Sequence, residues 1–352
     1  MKLFCPGPVN LTDTIKNAKY IEISHRGQQF QNLFKESTDL TSCLFSIEKE
    51  HMPLFLTGSG TLAIESIVYS YLKKKKTLLL QNGLFSEKWE ELLKNHGCSY
   101  KIQNFGWCNP YDYNLLESQL VAGEIDCIFM VHHETSTTMI NDIFKINELC
   151  TKFGIEIIID AVSSAGIYNI NLNNLKQISF LGFSTNKGIG SFPGLAVVIG
   201  KVCLLEKMTN EISYLNLKNY YDFSLKKETP FTPCVQNFYY YNEAVSNILE
   251  EGQNRLKYYE TLSRYLIEQL ATINIHPILK SNQCCWVLNF FANNPYNLYD
   301  RLLEKNTIIY KCKGHLEQIA IQIAILNKTK HDIDELINSI ISLEIPDTSR
   351  IA

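Results

Sequence analysis

Apolar runs of strand length alternate with helical patterns through the first half of the chain. Between Pro53 and Gly200 these runs include "PLFLT", "TLLLQ", "DCIFMVH", "IEIIID" and "SFLGFS", and a helical pattern is expected between each run and the next. Most runs are continuously apolar, which is typical of strands covered by helices on both faces of a mostly parallel sheet. The pattern predicts an α/β fold whose ligands bind where the strands end.

The pattern changes after about Pro233. One long helical pattern, "VQNFYYYNEAVSNILEEGQNRLKYYETLSRYLIEQL", precedes short apolar runs and a last helical pattern, "HDIDELINSIISL". This order predicts a smaller α+β unit packed behind a long helix. We therefore expect an N-terminal arm and a large cofactor-binding domain over residues 1–235, and a small C-terminal α+β domain over residues 236–352.

Composition narrows the class of protein. The chain has 352 residues, of which 45% are hydrophobic, enough for two domains. A net charge of −3 and a pI of about 6.3 give no basic face of the kind that nucleic acid needs. The 11 cysteines have no disulfide-framework spacing, and neither a signal peptide nor a membrane-length apolar run is evident. We expect a cytoplasmic protein with no nucleic-acid or membrane partner.

The segment after the first apolar run, "GSGTLAIE", opens a helix at Ser59, Gly60 and Thr61. The free N–H groups and the dipole of such a helix start suit a phosphate. The spacing also matches the dinucleotide fingerprint, but the ribose-binding acid expected about 20 residues later is replaced by Gln81 and Asn82. A nicotinamide cofactor therefore stays a remote alternative.

Aromatic and hydroxyl side chains follow the next two runs. Phe85 stands in "QNGLFSEKW", either as a stacking residue for a flat ligand or as ordinary core. Thr135 belongs to "HHETSTTM", a polar cluster suited to hydrogen bonds with a ring substituent. Adjacent histidines point apart and H-E-x-x-H is absent, so we expect no metal.

Asp160 closes "IEIIID", and Lys187 lies in the glycine-rich turn "STNKGIGS" close after Ser184. Asp160 either caps the next helix or holds a positively charged ring nitrogen. One crossover separates Asp160 from Lys187, so neighbouring strand ends can aim both into one crevice. Together with the phosphate and stacking positions, they indicate pyridoxal phosphate, with Lys187 as a Schiff-base lysine that also moves the substrate proton.

These motifs also carry a family resemblance. "PGP", "GSGTLAIE", "NGLF", "HHETSTTM", "IIIDAVSSAG" and "STNKGIGSFPGLA" occur in the order seen in fold-type I, class V pyridoxal phosphate aminotransferases. The likeness covers most of residues 3–240. Within the class, the chain is most similar to 2-aminoethylphosphonate–pyruvate aminotransferase, with the alanine– and serine–glyoxylate aminotransferases close behind.

The resemblance implies roles for individual residues. It implies that Lys187 is the Schiff-base lysine, that Asp160 faces the pyridinium nitrogen and that Phe85 stacks on the ring. It also implies a homodimer with active sites at the interface, where Thr232 of "TPFTP" reaches the neighbouring subunit's phosphate. The residues implied around the subunit's own phosphate are Ser59, Gly60, Thr61 and Ser184.

The chain departs from the family pattern at three places. Thr138 replaces a glycine at the end of the H-x-E-T motif and is expected to crowd the substrate. Gln322 stands where the family carries a carboxylate-binding arginine, and a neutral amide cannot replace that bidentate guanidinium. Nearby cations are Lys311, Lys313 and His315.

The third departure is "ISHRGQQF", which resembles the S-H-R segment of phosphoserine aminotransferases. The resemblance implies that Arg26 takes part of the missing arginine's role in binding an anionic substrate. The alternative is a surface ion-pairing turn.

The leading hypothesis is an aminotransferase that moves an amino group from a small anionic amine or amino acid to an oxo acid. The donor is of the 2-aminoethylphosphonate kind by resemblance, with an alanine/serine–glyoxylate type as an alternative. The missing arginine keeps a pyridoxal phosphate lyase or decarboxylase open, including a cysteine desulfurase for which Cys312 is a formal candidate. An NAD-dependent oxidoreductase is the remote alternative.

Overall fold

Strands and helices alternate along residues 1–121 and 123–344, which the computed structural model of this chain describes. The strands are β1 (Lys2–Leu3), β2 (His51–Gly58), β3 (Lys76–Gln81), β4 (Ser99–Asn104), β5 (Cys127–Val131), β6 (His133–Glu134), β7 (Met139–Ile140), β8 (Glu156–Asp160), β9 (Ile178–Ser184), β10 (Gly194–Lys201), β11 (Val287–Phe291), β12 (Thr307–Ile308), β13 (Tyr310–Lys311) and β14 (Ala320–Ala324). The helices are α1 (Asp13–Asn17), α2 (Gln28–Phe45), α3 (Gly60–Ser70), α4 (Leu84–Asn95), α5 (Tyr113–Val121), α6 (Ile143–Phe153), α7 (Val202–Leu205), α8 (Leu217–Ser224), α9 (Val235–Glu251), α10 (Gln253–Ala271), α11 (Pro295–Glu304) and α12 (Lys330–Glu344).

A seven-stranded sheet in the order β2-β10-β9-β8-β5-β3-β4 forms the centre of the larger part. The pairs β9–β8, β8–β5, β5–β3 and β3–β4 are parallel, whereas β10 runs antiparallel to both of its neighbours. The predicted mostly parallel sheet is therefore present. Because β10 returns directly from the end of β9, the turn that joins them lies at the edge where the parallel strands end.

Both faces of this sheet are buried. In β8, Ile157 and Ile159 pack into a core on one side, and Ile158 packs into a core on the other. Successive side chains of a strand point to opposite faces, so a strand with helices on both sides must be apolar throughout. This explains the continuous apolar runs of the sequence.

A second part is built on the three-stranded sheet β11-β14-β13, with α10, α11 and α12 contributing to its own core. The N-terminus joins it, because β1 pairs in parallel with β12. Phe4, the residue after β1, is fully buried in that core. The N-terminal arm therefore packs with the C-terminal part of the chain.

The long predicted helix is in fact two helices that divide at Gly252, whose φ is 53°. α9 packs on the first core through residues such as Phe238 and Tyr241, whereas α10 packs on the second core through residues such as Leu266. The two helices thus pack on different cores, and the change comes at Gly252. The two-domain division stays a prediction. Residues 345–352 of the predicted C-terminal domain lie outside the described residues.

The helix expected after β8 is absent, because residues 161–177 form turns. Side chains hold this segment in place of a helical ladder: Asp160 Oδ1 accepts from Val162 N, and Asn171 Oδ1 accepts from Asn173 N. Such local side-chain bonds compete with helix formation. The result is a compact β8–β9 connection that keeps the two strand ends adjacent.

Candidate active site

The ends of β8 and β9 bring Asp160 and Lys187 to one cavity of about 140 Å³, called here the main cavity. Residues from the ends of several other strands complete its wall, as expected at this edge of an α/β sheet. Its lining residues are Ser59, Gly60, Thr61, Phe85, Trp89, His133, Thr135, Asp160, Val162, Ser163, Ser184, Asn186 and Lys187.

Asp160 is buried and doubly hydrogen-bonded. Its Oδ2 accepts from Trp89 Nε1 at 2.8 Å and its Oδ1 from Val162 N at 2.8 Å. Burial raises the pKa of Asp160 to about 6, while the two hydrogen bonds and the charge of Lys187 act in the opposite direction. A buried carboxylate held in one orientation is suited to pair with a cationic group in the cavity.

Lys187 lies in the turn between β9 and β10, where Gly190 N donates to Lys187 O at 2.7 Å. Its ammonium nitrogen lies 5.5 Å from the centroid of the Phe85 ring. Desolvation lowers the pKa of Lys187, and the nearby carboxylates of Asp160 and Glu134 oppose that shift. A lowered pKa increases the neutral amine fraction, which is the nucleophilic and proton-accepting form.

The first turn of α3 forms the opposite wall. Ser59 precedes the helix without a side-chain capping hydrogen bond, so the first N–H groups of α3 have no cap from it. Gly60 is packed tightly, since a Cβ there would lie 2.7–2.8 Å from the Val162 methyl groups. The helix start thus presents its backbone closely to the cavity, which is suited to a phosphate.

The buried carboxylate of Glu134 holds Phe85 in place. Glu134 accepts from Ser86 N at 2.9 Å and from Phe85 N at 3.3 Å, and Ser136 Oγ donates to it at 2.6 Å. An anion at the first turn of α4 also interacts favourably with the helix dipole. This structural role of Glu134 was not predicted from the sequence.

Five further lining residues were not predicted as site residues: Trp89, His133, Val162, Ser163 and Asn186. Trp89 lies four residues after Phe85 on α4, a spacing that places both on one helix face and could have suggested it. Ser163 Oγ accepts from Thr135 Oγ1 at 2.6 Å. His133 pairs through Nδ1 with Ser163 O at 3.2 Å, and its Nε2 has no partner within residues 1–121 and 123–344.

The tautomer of His133 follows from this pairing. A carbonyl oxygen only accepts, so Nδ1 carries the proton and Nε2 is a bare acceptor. Burial lowers the pKa of His133 to about 3, so the ring stays neutral at physiological pH. His133 therefore lines the main cavity with a neutral ring whose Nε2 can only accept a hydrogen bond.

A smaller hollow of about 80 Å³, the side cavity, shares Phe85, Thr135 and Lys187 with the main cavity. Its outer wall consists of Tyr310, Lys311, Cys312, Lys313 and Gln322, with Pro6 and Gly7 of the N-terminal arm. Gln322 therefore lies at the site, as do two of the three cations noted from the sequence. His315 lies outside the side cavity. Its ring meets the Trp107 ring edge-on, with the two ring centroids 4.8 Å apart.

Besides His315, three of the predicted or noted positions line neither cavity. Arg26 donates to Glu228 Oε2 at 2.8 Å and to Thr229 O at 3.0 Å, so it forms a surface ion pair. Thr232 is exposed in the same loop. Thr138 is buried with a φ of 62° and accepts from Cys284 N at 2.8 Å, so it lies behind the cavity wall.

Size does not single out this site. A larger hollow of about 790 Å³ lies beside Tyr168, Arg264 and Cys285. The described ranges contain no group of three or more His, Cys, Asp or Glu side chains that could hold a metal. They also contain no helix of the length and apolarity needed to cross a membrane. What distinguishes the main cavity is the convergence of Asp160, Lys187 and a helix start.

The sequence matches the family Aminotransferase class-V over residues 11–319. The chain belongs to the class-V aminotransferase family. The family predicted from the sequence is confirmed, and with it a pyridoxal phosphate-dependent transaminase as the enzyme class and pyridoxal phosphate as the cofactor. The assignment favours aminotransfer over the lyase, decarboxylase and oxidoreductase alternatives.

Individual relatives agree with this assignment. An uncharacterized aminotransferase of Methanocaldococcus jannaschii is 29% identical over 79% of this chain and 74% of its own length. A 2-aminoethylphosphonate–pyruvate transaminase of Bacillus mycoides is 26% identical over 88% of this chain and 89% of its own. An alanine–glyoxylate aminotransferase structure from Nostoc sp. superposes with a TM-score of 0.89 at 21% identity, covering 97% of this chain and 94% of that one. The predicted fold-type I architecture is confirmed.

The residues of the main cavity fit pyridoxal phosphate. The open start of α3 suits the phosphate, the oriented carboxylate of Asp160 suits a protonated ring nitrogen, and the Phe85 ring offers an apolar face. Each of these features suits a different part of one flat, phosphorylated molecule.

Proposed function

We propose that this aminotransferase moves an amino group from a small anionic primary amine, of the 2-aminoethylphosphonate kind, to an oxo acid such as pyruvate or glyoxylate. The observation that carries the proposal is the meeting of Asp160 and Lys187 in one cavity. The transaminases of Bacillus mycoides and Nostoc, named above for phosphonate and glyoxylate substrates, support this substrate class.

The proposed binding roles follow from the contacts. The N–H groups of Ser59, Gly60 and Thr61, with the Ser184 hydroxyl, bind the phosphate, and Phe85 covers one ring face. The hydroxyl of Thr135, supported by Ser163, bonds a ring substituent. Trp89 and Val162 orient Asp160, whose carboxylate keeps the ring nitrogen protonated. The residues that share these roles are Ser59, Gly60, Thr61, Phe85, Thr135, Asp160, Ser184 and Lys187.

Bound pyridoxal phosphate supplies an electrophilic carbonyl carbon and an electron-withdrawing ring. Lys187 then acts as the proton carrier of the reaction. Its Nζ, with a lowered pKa, takes the proton from the donor's amine-bearing carbon and returns a proton in the second half of the cycle. The negative charge of Asp160 stabilises the positive ring throughout.

The proposal includes a cytoplasmic homodimer with Thr232 and Arg26 near the subunit contact. Large apolar side chains are exposed on one subunit: Ile212 is 99% exposed and Ile21 is 64% exposed. All 11 cysteines are free thiols, in keeping with a reducing compartment. Sedimentation of the Ile212→Asp variant tests the assembly, and we expect its dimer to dissociate more readily than the wild type.

The experiment for the activity measures product amino acid after mixing holoenzyme with 2-aminoethylphosphonate, phosphoserine or alanine and with pyruvate or glyoxylate. Lys187→Arg keeps the charge but has a guanidinium that does not deprotonate, so we expect at least a thousandfold loss of kcat. Lys101→Arg, at an exposed ion pair with Glu124, is the matched control. No product from any pair, or an active Lys187→Arg variant, would contradict the proposal.

A further inference from the structure

We propose that Lys313, assisted by Lys311, binds the distal anionic group of the amino donor in the side cavity, and that this site favours a tetrahedral dianion such as a phosphonate. The inference rests on the proposed function, because it assigns the donor's second end to residues of the same site. Four observations carry it.

Gln322 cannot donate a hydrogen bond to an anion, because its amide N–H groups are already bonded. Its Nε2 donates to Thr135 O and to Asn289 Oδ1, both at 2.8 Å. A carbonyl oxygen can only accept, so this orientation of the amide is fixed, and Asn289 is fixed likewise because its Nδ2 donates to Ser136 O at 2.8 Å. The polar atom that remains on Gln322 is an oxygen, which repels a carboxylate or phosphonate.

Lys313 is the cation best placed to replace it. It lines the side cavity, and its charge is strong enough at Lys187 to help lower the pKa of that amine. The ammonium of Lys313 is exposed 5.5 Å from the Tyr310 ring centroid and forms no ion pair with a carboxylate of the described chain. It is therefore free to bind an anion that enters beside Lys187.

Lys311 supplies a second, more constrained charge. Its ammonium lies 4.7 Å from the Tyr296 ring centroid and 4.6 Å from that of Tyr299. The two rings hold it by cation–π attraction and not by charge neutralisation, so its positive field still reaches the cavity it lines. Lys311 thus adds attraction with less freedom to contact the ligand directly.

The loop that carries Lys313 is anchored against the cofactor side of the cavity. Gly314 packs on the Trp107 ring so closely that a Cβ would lie 2.5 Å from it, and Trp107 Nε1 donates to Glu87 of α4 at 2.7 Å. The start of the same helix carries Phe85. This packing therefore fixes the backbone of Lys313 relative to α4, the helix whose start carries Phe85.

The chemistry of lysine selects the ligand. A guanidinium fork matches the two oxygens of a planar carboxylate, whereas an ammonium is a compact point charge without that planar preference. Two ammonium groups at one cavity favour a doubly charged group over a singly charged one, because the attraction grows with ligand charge. A phosphonate therefore gains more here than a carboxylate.

The first experiment measures binding of methylphosphonate to the holoenzyme by calorimetry. We expect Lys313→Gln to weaken binding by about tenfold or more, the usual worth of a hydrogen bond between charged groups, and Lys311→Gln to weaken it less. Lys101→Gln is the control with unchanged affinity. An unaltered visible band of the bound cofactor in each variant establishes that the fold is kept.

The second experiment compares donors that differ only in the end opposite the amine: 2-aminoethylphosphonate, taurine, β-alanine and ethanolamine. We expect the wild type to have its lowest KM for the phosphonate, and Lys313→Gln to raise that KM about tenfold with little change in kcat or in the KM for ethanolamine. Equal KM changes for charged and neutral donors would overturn the inference, as would methylphosphonate binding that does not depend on Lys313.

These outcomes separate the two proposals. A holoenzyme that binds methylphosphonate through Lys313 but transfers no amino group from any donor would contradict the proposed function alone. An active enzyme whose donor preference is indifferent to Lys313 would contradict the inference alone.

Discussion

At the scale of single residues, the environment of Asp160 shifts the pKa of its carboxyl group. Burial raises its pKa from 3.8 to about 6, whereas hydrogen bonds from Val162 and Trp89 favour the charged form. In the cofactor-free protein the folded state therefore holds the proton more tightly than the unfolded state does. Its stabilising contribution is fully present below about pH 3.8, decreases above that pH, and is lost once the pH has risen through about 6.

Asp160→Asn removes this titration. A rise from 3.8 to about 6 corresponds to roughly 3 kcal/mol over the full range, of which roughly 1 kcal/mol falls between pH 5 and pH 8. On raising the pH from 5 to 8, we expect the cofactor-free wild type to lose about 1 kcal/mol of unfolding free energy relative to the variant. Urea unfolding at the two pH values measures the difference.

The control for this prediction is Asp13→Asn, because Asp13 is exposed at the start of α1. It should follow the wild type at both pH values. A wild type and an Asp160→Asn variant with the same pH dependence would mean that the buried carboxyl does not have the raised pKa on which the account depends.

Strand-end reasoning predicted Asp160, Lys187 and Phe85 because each lies at the end of an apolar run or a few residues after it. It missed Trp89 and Asn289, whose roles depend on tertiary contacts: one donates to Asp160 from α4, and the other reaches Ser136 from β11. The contact of Asn289 leaves no local pattern in the sequence, and Trp89 is indicated only by its spacing from Phe85. Gln322 was predicted near the site and lines the side cavity, but its hydrogen bonds, and hence its inability to bind an anion, depend on tertiary contacts.

Among the elements, the start of α3 depends most directly on a small side chain. Gly60 leaves no space for a methyl group, since a Cβ would lie 2.7 Å from Val162 Cγ2 and 3.3 Å from Ser184 Oγ. Accommodating one would displace either the helix start or Val162, whose backbone N–H bonds Asp160. The helix start is proposed to bind the cofactor's phosphate, and Val162 is proposed to orient Asp160 toward the ring nitrogen.

We expect Gly60→Ala to weaken cofactor binding by about tenfold, because a shifted helix start loses hydrogen bonds to a charged phosphate. Titration of the cofactor-free protein with pyridoxal phosphate, followed by absorbance, measures the change. Gly27→Ala is the matched control, since Gly27 precedes α2 and a Cβ there has ordinary contacts of 3.5 Å or more. Equal affinities for both variants would contradict the proposed phosphate site.

The periodicity of the sequence located most strands and the helices that cover them, because a strand buried on both faces must be apolar throughout. It did not anticipate the break at Gly252, where an otherwise continuous helical pattern changes direction, or the turns of residues 161–177. Both follow from local backbone geometry that the hydrophobic pattern does not record. The antiparallel direction of β10 likewise depends on the short turn that contains Lys187.

At the scale of the whole molecule, the N-terminal arm ties the second core to the site. Phe4 is fully buried there, its N–H donates to Ile308 O at 2.7 Å, and its carbonyl accepts from Ala324 N at 2.9 Å. Three residues later, Gly7 approaches Lys187 so closely that a Cβ would lie 3.3 Å from Lys187 Cγ. Loss of the arm should therefore affect stability and the side cavity together.

We expect Phe4→Ala to lower the unfolding free energy by about 3 kcal/mol, because it leaves a cavity in the second core. We also expect a higher KM for the amino donor, since Pro6 and Gly7 line the side cavity. Phe144→Ala is the control, because Phe144 is 54% exposed and should cost little. Urea unfolding and donor kinetics measure both effects, and a Phe4→Ala protein as stable as the control would contradict this packing.

The most direct test of the central claim is whether Lys187 carries the cofactor. The purified enzyme, loaded with pyridoxal phosphate, is treated with borohydride, digested and examined by mass spectrometry, with its absorbance recorded before and after. The account predicts a visible band that borohydride bleaches and a mass increase of the reduced cofactor on the peptide that contains Lys187. A cofactor that stays unattached, or that attaches to another lysine, would contradict it.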